Sequence, residues 1–182
     1  MKIPSGINVK IENDVISVSG PKGTSQRKFD SNVLKVNVAS DEITVVPVAK
    51  KITRKINASS KAIEAHLKNM FNGVSTGFSK KLVVVYSHFP VTIESKGDQL
   101  FVKNYMGEKS ARIAKIVTGT SVNVGKGEIT VSGCDAESVG QTAANIIAAT
   151  NLTKRDRRVF QDGIYHAIEW VKNENFAITK IR

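Results

Sequence analysis

The chain has 182 residues, 27 Lys plus Arg against 16 Asp plus Glu, a formal net charge of +11 and a pI near 9.8. Hydrophobic residues make up 41%, enough for a packed core, which argues against a wholly disordered basic tail. The longest apolar run, Leu82 to Tyr86, falls far short of the ~20 residues that cross a bilayer, and the single cysteine, Cys134, allows neither an internal disulfide nor a Cys-rich zinc site. The start, Met1-Lys2-Ile3-Pro4, lacks the apolar stretch of a signal peptide, so a soluble, cytoplasmic protein is expected. The positive excess points to a polyanionic partner without saying which one.

In chain order, Val9 to Glu12 and Val15 to Val18 read as strands around an Asn13-Asp14 turn. Gly20-Pro21-Lys22-Gly23 matches the GxxG of a KH domain, but that motif lies between helices, and here it follows a strand, so it reads as a turn. Residues 36–45, VNVASDEITV, form a hairpin pattern around Ala39-Ser40-Asp41. Ala62, Ile63, Leu67, Met70 and Phe71 then make the apolar stripe of a helix, with His66 beside them. A second series follows: Val91 to Glu94, a turn at Lys96-Gly97-Asp98, and Leu100 to Val102. Residues 122–131, VNVGKGEITV, turn at Gly125-Lys126-Gly127. Val139, Ala143, Ile146 and Ile147 mark a second helix, with Asp135 or Ser138 as N-cap.

The chain therefore repeats itself. Seven of ten positions match between 36–45 and 122–131 at an offset of 86, and strands lead into a helix in both halves. The expected fold class is α+β, with two tandem duplicated domains, each a small mainly antiparallel sheet packed on one amphipathic helix. The expected domains are 1–80 and 81–172, with 173–182 as a tail.

Charge divides unevenly between the copies. Residues 1–82 carry a net +8 (14 basic, 6 acidic) and residues 83–182 a net +3 (13 basic, 10 acidic). Yet five of seven arginines, Arg112, Arg155, Arg157, Arg158 and Arg182, lie in the second copy. Arginine presents a planar fork to phosphate, whereas lysine is a mobile point charge, so the second copy is the better candidate for a specific contact. Three basic clusters stand out. Lys50, Lys51, Arg54 and Lys55 sit ahead of the first helix, where a merely solvated connection is an equal reading. Lys103-Asn104-Tyr105-Met106-Gly107-Glu108-Lys109, with Arg112 and Lys115, is a glycine-bearing loop with basic arms, suited to phosphate and sugar contacts. Lys154-Arg155-Asp156-Arg157-Arg158, followed by Phe160, Asp162, Gly163 and Tyr165, interleaves basic and aromatic residues, with Asp156 and Asp162 placed to orient guanidiniums.

Catalytic and metal chemistry find little support. His66, His88 and His166 are far apart, with no His or Cys partner at ligand spacing. Cys134 before a helix reads better as a small buried residue than as a nucleophile. Gly119 to Lys126 departs from P-loop spacing, and aromatic pairs of the RRM type are missing. No catalytic residue, metal or cofactor is expected.

Four stretches carry a family likeness: VSGPKG (residues 18–23) with Arg27 to Phe29, SHFPV (residues 87–91), KNYMGEK (residues 103–109), and VGQTAANI (residues 139–146) leading to RRVFQDGIY (residues 157–165). Together they resemble the large-subunit ribosomal protein L-six family in its archaeal and eukaryotic-cytosolic form, leaning archaeal at VGQTAAN. The resemblance runs from about Val9 to Tyr165. It implies two duplicated domains, the second anchored on large-subunit rRNA near the sarcin–ricin loop and the landing site of translational GTPases. The first would reach towards the stalk base and neighbouring large-subunit proteins. It further implies that Lys103, Lys109, Arg112, Lys115, Lys154, Arg155, Arg157 and Arg158 contact rRNA. Gly107, Phe160, Asp162, Gly163 and Tyr165 would organise the loops that present them. The implied role is a non-enzymatic ribosomal constituent acting in the cytoplasm, with no membrane partner. Two alternatives are a transient assembly or nucleic-acid-binding factor, and an enzyme built on Cys134 or a histidine.

Overall fold

The computed structural model describes residues 1–12, 14–39, 42–48, 53–153, 155–156 and 158–167. The expected tail 173–182, and Lys50, Lys51, Lys154 and Arg157, lie outside the described residues. The chain forms two compact units. One is Met1–Phe78 with Cys134–Ala136; the other is Ser79–Gly133 with the residues from Glu137 onward.

In the first unit, β1 (Asn8–Glu12), β2 (Val15–Gly20) and β3 (Gly23–Lys28) form an antiparallel sheet in that order. β4 (Leu34–Val38) and β5 (Ile43–Pro47) form a separate hairpin, and α1 spans Arg54–Ser75. The Thr53 hydroxyl caps α1 by accepting from the Ile56 N–H at 3.4 Å. Leu67, Met70, Phe71 and Val74 are buried against Ile16, Val18 and Ile43. Each such side chain contributes roughly 1.5–3 kcal/mol. Two expectations are corrected here. Ala62 lies on the exposed side of α1, outside the buried stripe. Arg54 and Lys55 belong to the first turn of the helix rather than preceding it. The helix ends where Thr76 and Gly77 N–H groups return to the Asn72 carbonyl, with Gly77 at φ 79°.

The second unit holds most of β6 (Phe78–Val85), with β7 (Thr92–Lys96), β8 (Gln99–Lys103), β9 (Arg112–Lys115), β10 (Thr120–Val124), β11 (Glu128–Gly133), α2 (Ala136–Ala149) and β12 (Gly163–His166). Its sheets run β7-β8-β9 and β10-β11-β6-β12. Each half thus carries two small sheets where one was expected, within the duplicated α+β architecture.

The duplication holds at the level of register. Val36↔Val45, Asn37↔Thr44 and Val38↔Ile43 in the first hairpin become Val122↔Val131, Asn123↔Thr130 and Val124↔Ile129 in the second. The upstream hairpins match at an offset of 84 rather than the 82 that sets Val9–Glu12 against Val91–Glu94 in the sequence. Their closing pairs are Glu12↔Val15 and Lys96↔Gln99, which equates Ile16 with Leu100 and Val18 with Val102, all buried. Val9 therefore corresponds to Ile93, two residues on from Val91. A shift of two leaves every side chain on its own face, which is why the sequence pattern concealed it.

The copies diverge at more than one connection, and one of them bears on the site directly. β2 and β3 are joined by Pro21 and Lys22 alone, whereas β8 and β9 are joined by residues 104–111. That longer loop builds the site.

Candidate nucleic-acid interface

The loop at 104–111 is held in an uncommon backbone shape. Asn104 (φ 57°), Met106 (φ 52°) and Gly107 (φ 77°) are all left-handed. Two of them are non-glycine, a local cost that needs tertiary support. Support comes from three directions. The Asn104 side-chain amide donates to the Pro90 carbonyl at 3.1 Å. Phe89 packs where a Cβ on Gly107 would stand, 3.3 Å away. Tyr105 is buried, and its hydroxyl lies 2.8 Å from both the Thr150 and Asp162 carbonyls, between which its one proton is shared. Burial raises the Tyr105 pKa and keeps that proton in place.

Arg112, the first residue of β9, closes the loop. Its Nε and Nη2 donate to Glu108 at 2.8 and 2.7 Å, a two-pronged fork. Its Nη1 donates to the Ala149 and Asn151 carbonyls at 3.0 and 3.2 Å, and the guanidinium stacks 4.5 Å from the Tyr105 ring centroid. Ala149 ends α2, so Arg112 and Tyr105 together serve the carbonyls that a helix C-terminus leaves unpaired. The hydrogen bond from Arg112 is the main cause of a lowered Glu108 pKa, with a further contribution from the charge of Arg155. The same bond raises the Arg112 pKa.

The third part of the site comes from Arg155, Asp156 and residues 158–165. The buried Asp162 carboxylate accepts from the Ser87 N–H at 3.2 Å and the Ser87 hydroxyl at 3.0 Å. Gly163 leaves room for the Tyr165 ring, 3.3 Å from where a Cβ would stand, and the Tyr165 hydroxyl donates to the Gln161 carbonyl at 2.9 Å. Thr150 joins in through its hydroxyl, which accepts from the Ile164 N–H at 3.1 Å. Asp156 fixes the preceding turn. Its carboxylate accepts from the Arg158 N–H at 2.9 Å and its carbonyl from the Phe160 N–H at 3.0 Å. Among the described residues, the hydrogen bonds of the Asp156 and Asp162 carboxylates go to the Arg158 N–H and to Ser87, not to a guanidinium. Arg155 instead lies 5.0 Å over the half-exposed Phe160 ring.

Residues 87–90 and 104–112 therefore meet Ala149, Thr150, Asn151 and Asp162 in one place. Of the cations grouped together in the sequence, Arg112 is turned inward, its guanidinium bonded to Glu108 and to carbonyls at the end of α2. Lys103 pairs with Glu94 at 2.8 Å on the surface. Lys109, Lys115, Arg155 and Arg158 are exposed. Tyr105, Thr150 and Ser87 also carry the geometry, a role that the stretches 103–109 and 87–91 do not disclose in sequence. A lone Tyr or Thr has no sequence signature for a bond formed 45 or 57 residues away.

Residues 3–77 and 78–163 each match the family described as Ribosomal protein L6. The chain belongs to the ribosomal protein L6 family. Similar proteins include the large ribosomal subunit protein uL6 of Sulfurisphaera tokodaii, 44% identical over 165 residues, covering 91% of this chain and 88% of the relative. The uL6 of Methanosarcina mazei is 43% identical, covering 91% and 93%. That of Methanospirillum hungatei is 41% identical over the same shares. The ribosomal protein L6 family is structural rather than enzymatic, and the two tandem matches bear out the duplicated α+β fold read from the sequence. Among the described residues, no helix of this family member is long and apolar enough to cross a membrane.

Proposed function

We propose that this family member is a cytoplasmic structural constituent of the large ribosomal subunit that grips rRNA through its second unit. The grip lies near the sarcin–ricin loop and the site where translational GTPases land, with neighbouring large-subunit proteins of the stalk base close to the first unit. The mechanism is electrostatic and geometric. Lys109, Lys115, Arg155 and Arg158 neutralise phosphates and release counterions, joined by Lys103 when phosphate displaces its exposed partner, and by Lys154 and Arg157. A-form grooves hide base edges, so recognition follows RNA shape.

The observation that carries the reading is the convergence of three distant segments on an internally braced loop, with exposed cations in two of those segments. Arg112, Glu108, Tyr105 and Asp162 satisfy one another and the end of α2, and leave Lys109, Arg155 and Arg158 outward. The test is filter binding of the K109Q/R155Q/R158Q variant to deproteinised archaeal large-subunit rRNA across 50–200 mM salt. The log–log slope should flatten by ~2–2.7, from ~0.7–0.9 per contact. An unchanged slope would remove the second unit from the interface.

A further inference from the structure

The two helices of the duplicated fold differ in charge in a way the fold does not require. α2 has one charged residue, Glu137, and no Lys or Arg. α1 has Arg54, Lys55, Lys61 and Lys68 against a single Glu64. The same architecture thus closes over a helix without cations. Arg54 and Lys55 also stand in the first turn, where the helix dipole is positive, with no acidic residue in that turn and no basic residue in the last. Both placements are electrostatically unfavourable for the helix itself. Charge placed against local preference without a packing return marks a functional surface.

The positions are ordered. Arg54, Lys61 and Lys68 are spaced by seven, so they fall on one line along α1, about 10 Å apart and about 21 Å end to end. All three are exposed, and the line lies opposite the buried Leu67, Met70 and Val74. Between them stand Ala58 and Ala65, also exposed and too small to hold a ligand off. Glu64, three residues from Lys61 and four from Lys68, lies about 60° and 40° to one side of them. Among the described residues, none of the three cations is within ion-pair distance of a carboxylate.

We infer that this face of α1 is a second rRNA-binding surface, separate from the loop cluster of the second unit, which docks along a sugar–phosphate backbone. Lys and Ala are depleted at protein–protein interfaces, and the line holds no exposed aromatic anchor. A phosphate backbone needs only point charges and close approach. The inference rests on the rRNA-binding reading above and adds a distinct contact to it.

The test compares R54Q/K61Q/K68Q with K109Q/R155Q/R158Q in the full chain, bound to deproteinised archaeal large-subunit rRNA at 50–200 mM salt. The α1 variant should flatten the slope by ~2–2.7, and the charge-retaining R54K/K61R/K68R should keep it. Its melting temperature should not fall, since the lost side chains face water. Should the triple melt lower, K61Q and K68Q singly carry the test, each lowering the slope by ~0.7–0.9. A parental slope in the α1 variants, with binding lost in the second-unit variant, overturns this inference and leaves the proposed function standing. Unchanged slopes in both sets overturn both. Normal rRNA binding with loss of a neighbouring protein on subunit reconstitution also overturns it.

Discussion

Replacing Arg112 by Lys keeps the charge and removes the fork. The guanidinium makes four hydrogen bonds, two to Glu108 and two to carbonyls at the end of α2. One ammonium cannot serve both groups in that geometry. The Glu108 pair is part exposed, at 25% and 39% for its two side chains, so its loss is worth only ~0.5–1 kcal/mol. Each helix-end carbonyl left without its donor adds ~0.5–1.5 kcal/mol. The sum is ~1.5–4 kcal/mol, and even a loss of ~2 kcal/mol lowers the melting temperature by roughly 8–16 °C for a unit of this size. Urea unfolding followed by circular dichroism measures the loss, and hydrogen exchange at the end of α2 locates it. The rRNA salt slope of R112K should stay parental. A slope lower by ~0.7–0.9 with stability unchanged would make Arg112 a phosphate contact and refute its role as organiser.

Tyr105→Phe should cost ~1–3 kcal/mol in urea unfolding, because the Thr150 and Asp162 carbonyls both lose a buried donor. Glu108 has a folded pKa below its ordinary 4.5, so its stabilising effect is complete above that value and is lost as pH falls through the lowered one. Unfolding free energies between pH 6 and pH 3 should therefore fall less in E108Q than in the parent. Gly73→Ala should destabilise by at least ~1–3 kcal/mol, since the added Cβ would overlap the Cys134 backbone oxygen. Gly140→Ala, by contrast, should stabilise α2 by about 0.5–1 kcal/mol, its Cβ meeting only Lys80 Nζ at 3.7 Å. Thermal melts of the pair should move in opposite directions.

What the sequence reveals and conceals follows from the range of the forces involved. Val122 to Val131 repeats Val36 to Val45 because alternation and turn residues are local, and the register of both hairpins was readable from them. The upstream hairpin misaligned by two because period-2 patterns are blind to such a shift. Ala62 was misplaced because a small residue fits either side of a helix. Arg54 and Lys55 read as preceding α1 because the signal for its start is one Thr53 cap in a basic run, with no acidic first turn. The loop at 104–111 was legible as a basic, glycine-bearing connection. Its inward-turned Arg112 was not, since a guanidinium reads the same whether its partner is a phosphate or the carbonyl of Ala149, 37 residues away.

The central claim, that the braced loops of the second unit hold rRNA, is tested most directly by crosslinking within intact large subunits. Crosslinked peptides would be mapped by mass spectrometry. The account predicts that peptides containing Lys109 and the Arg155–Phe160 turn dominate among those from the second unit. Crosslinks concentrated instead on the β10–β11 hairpin, with none from those two segments, would contradict it.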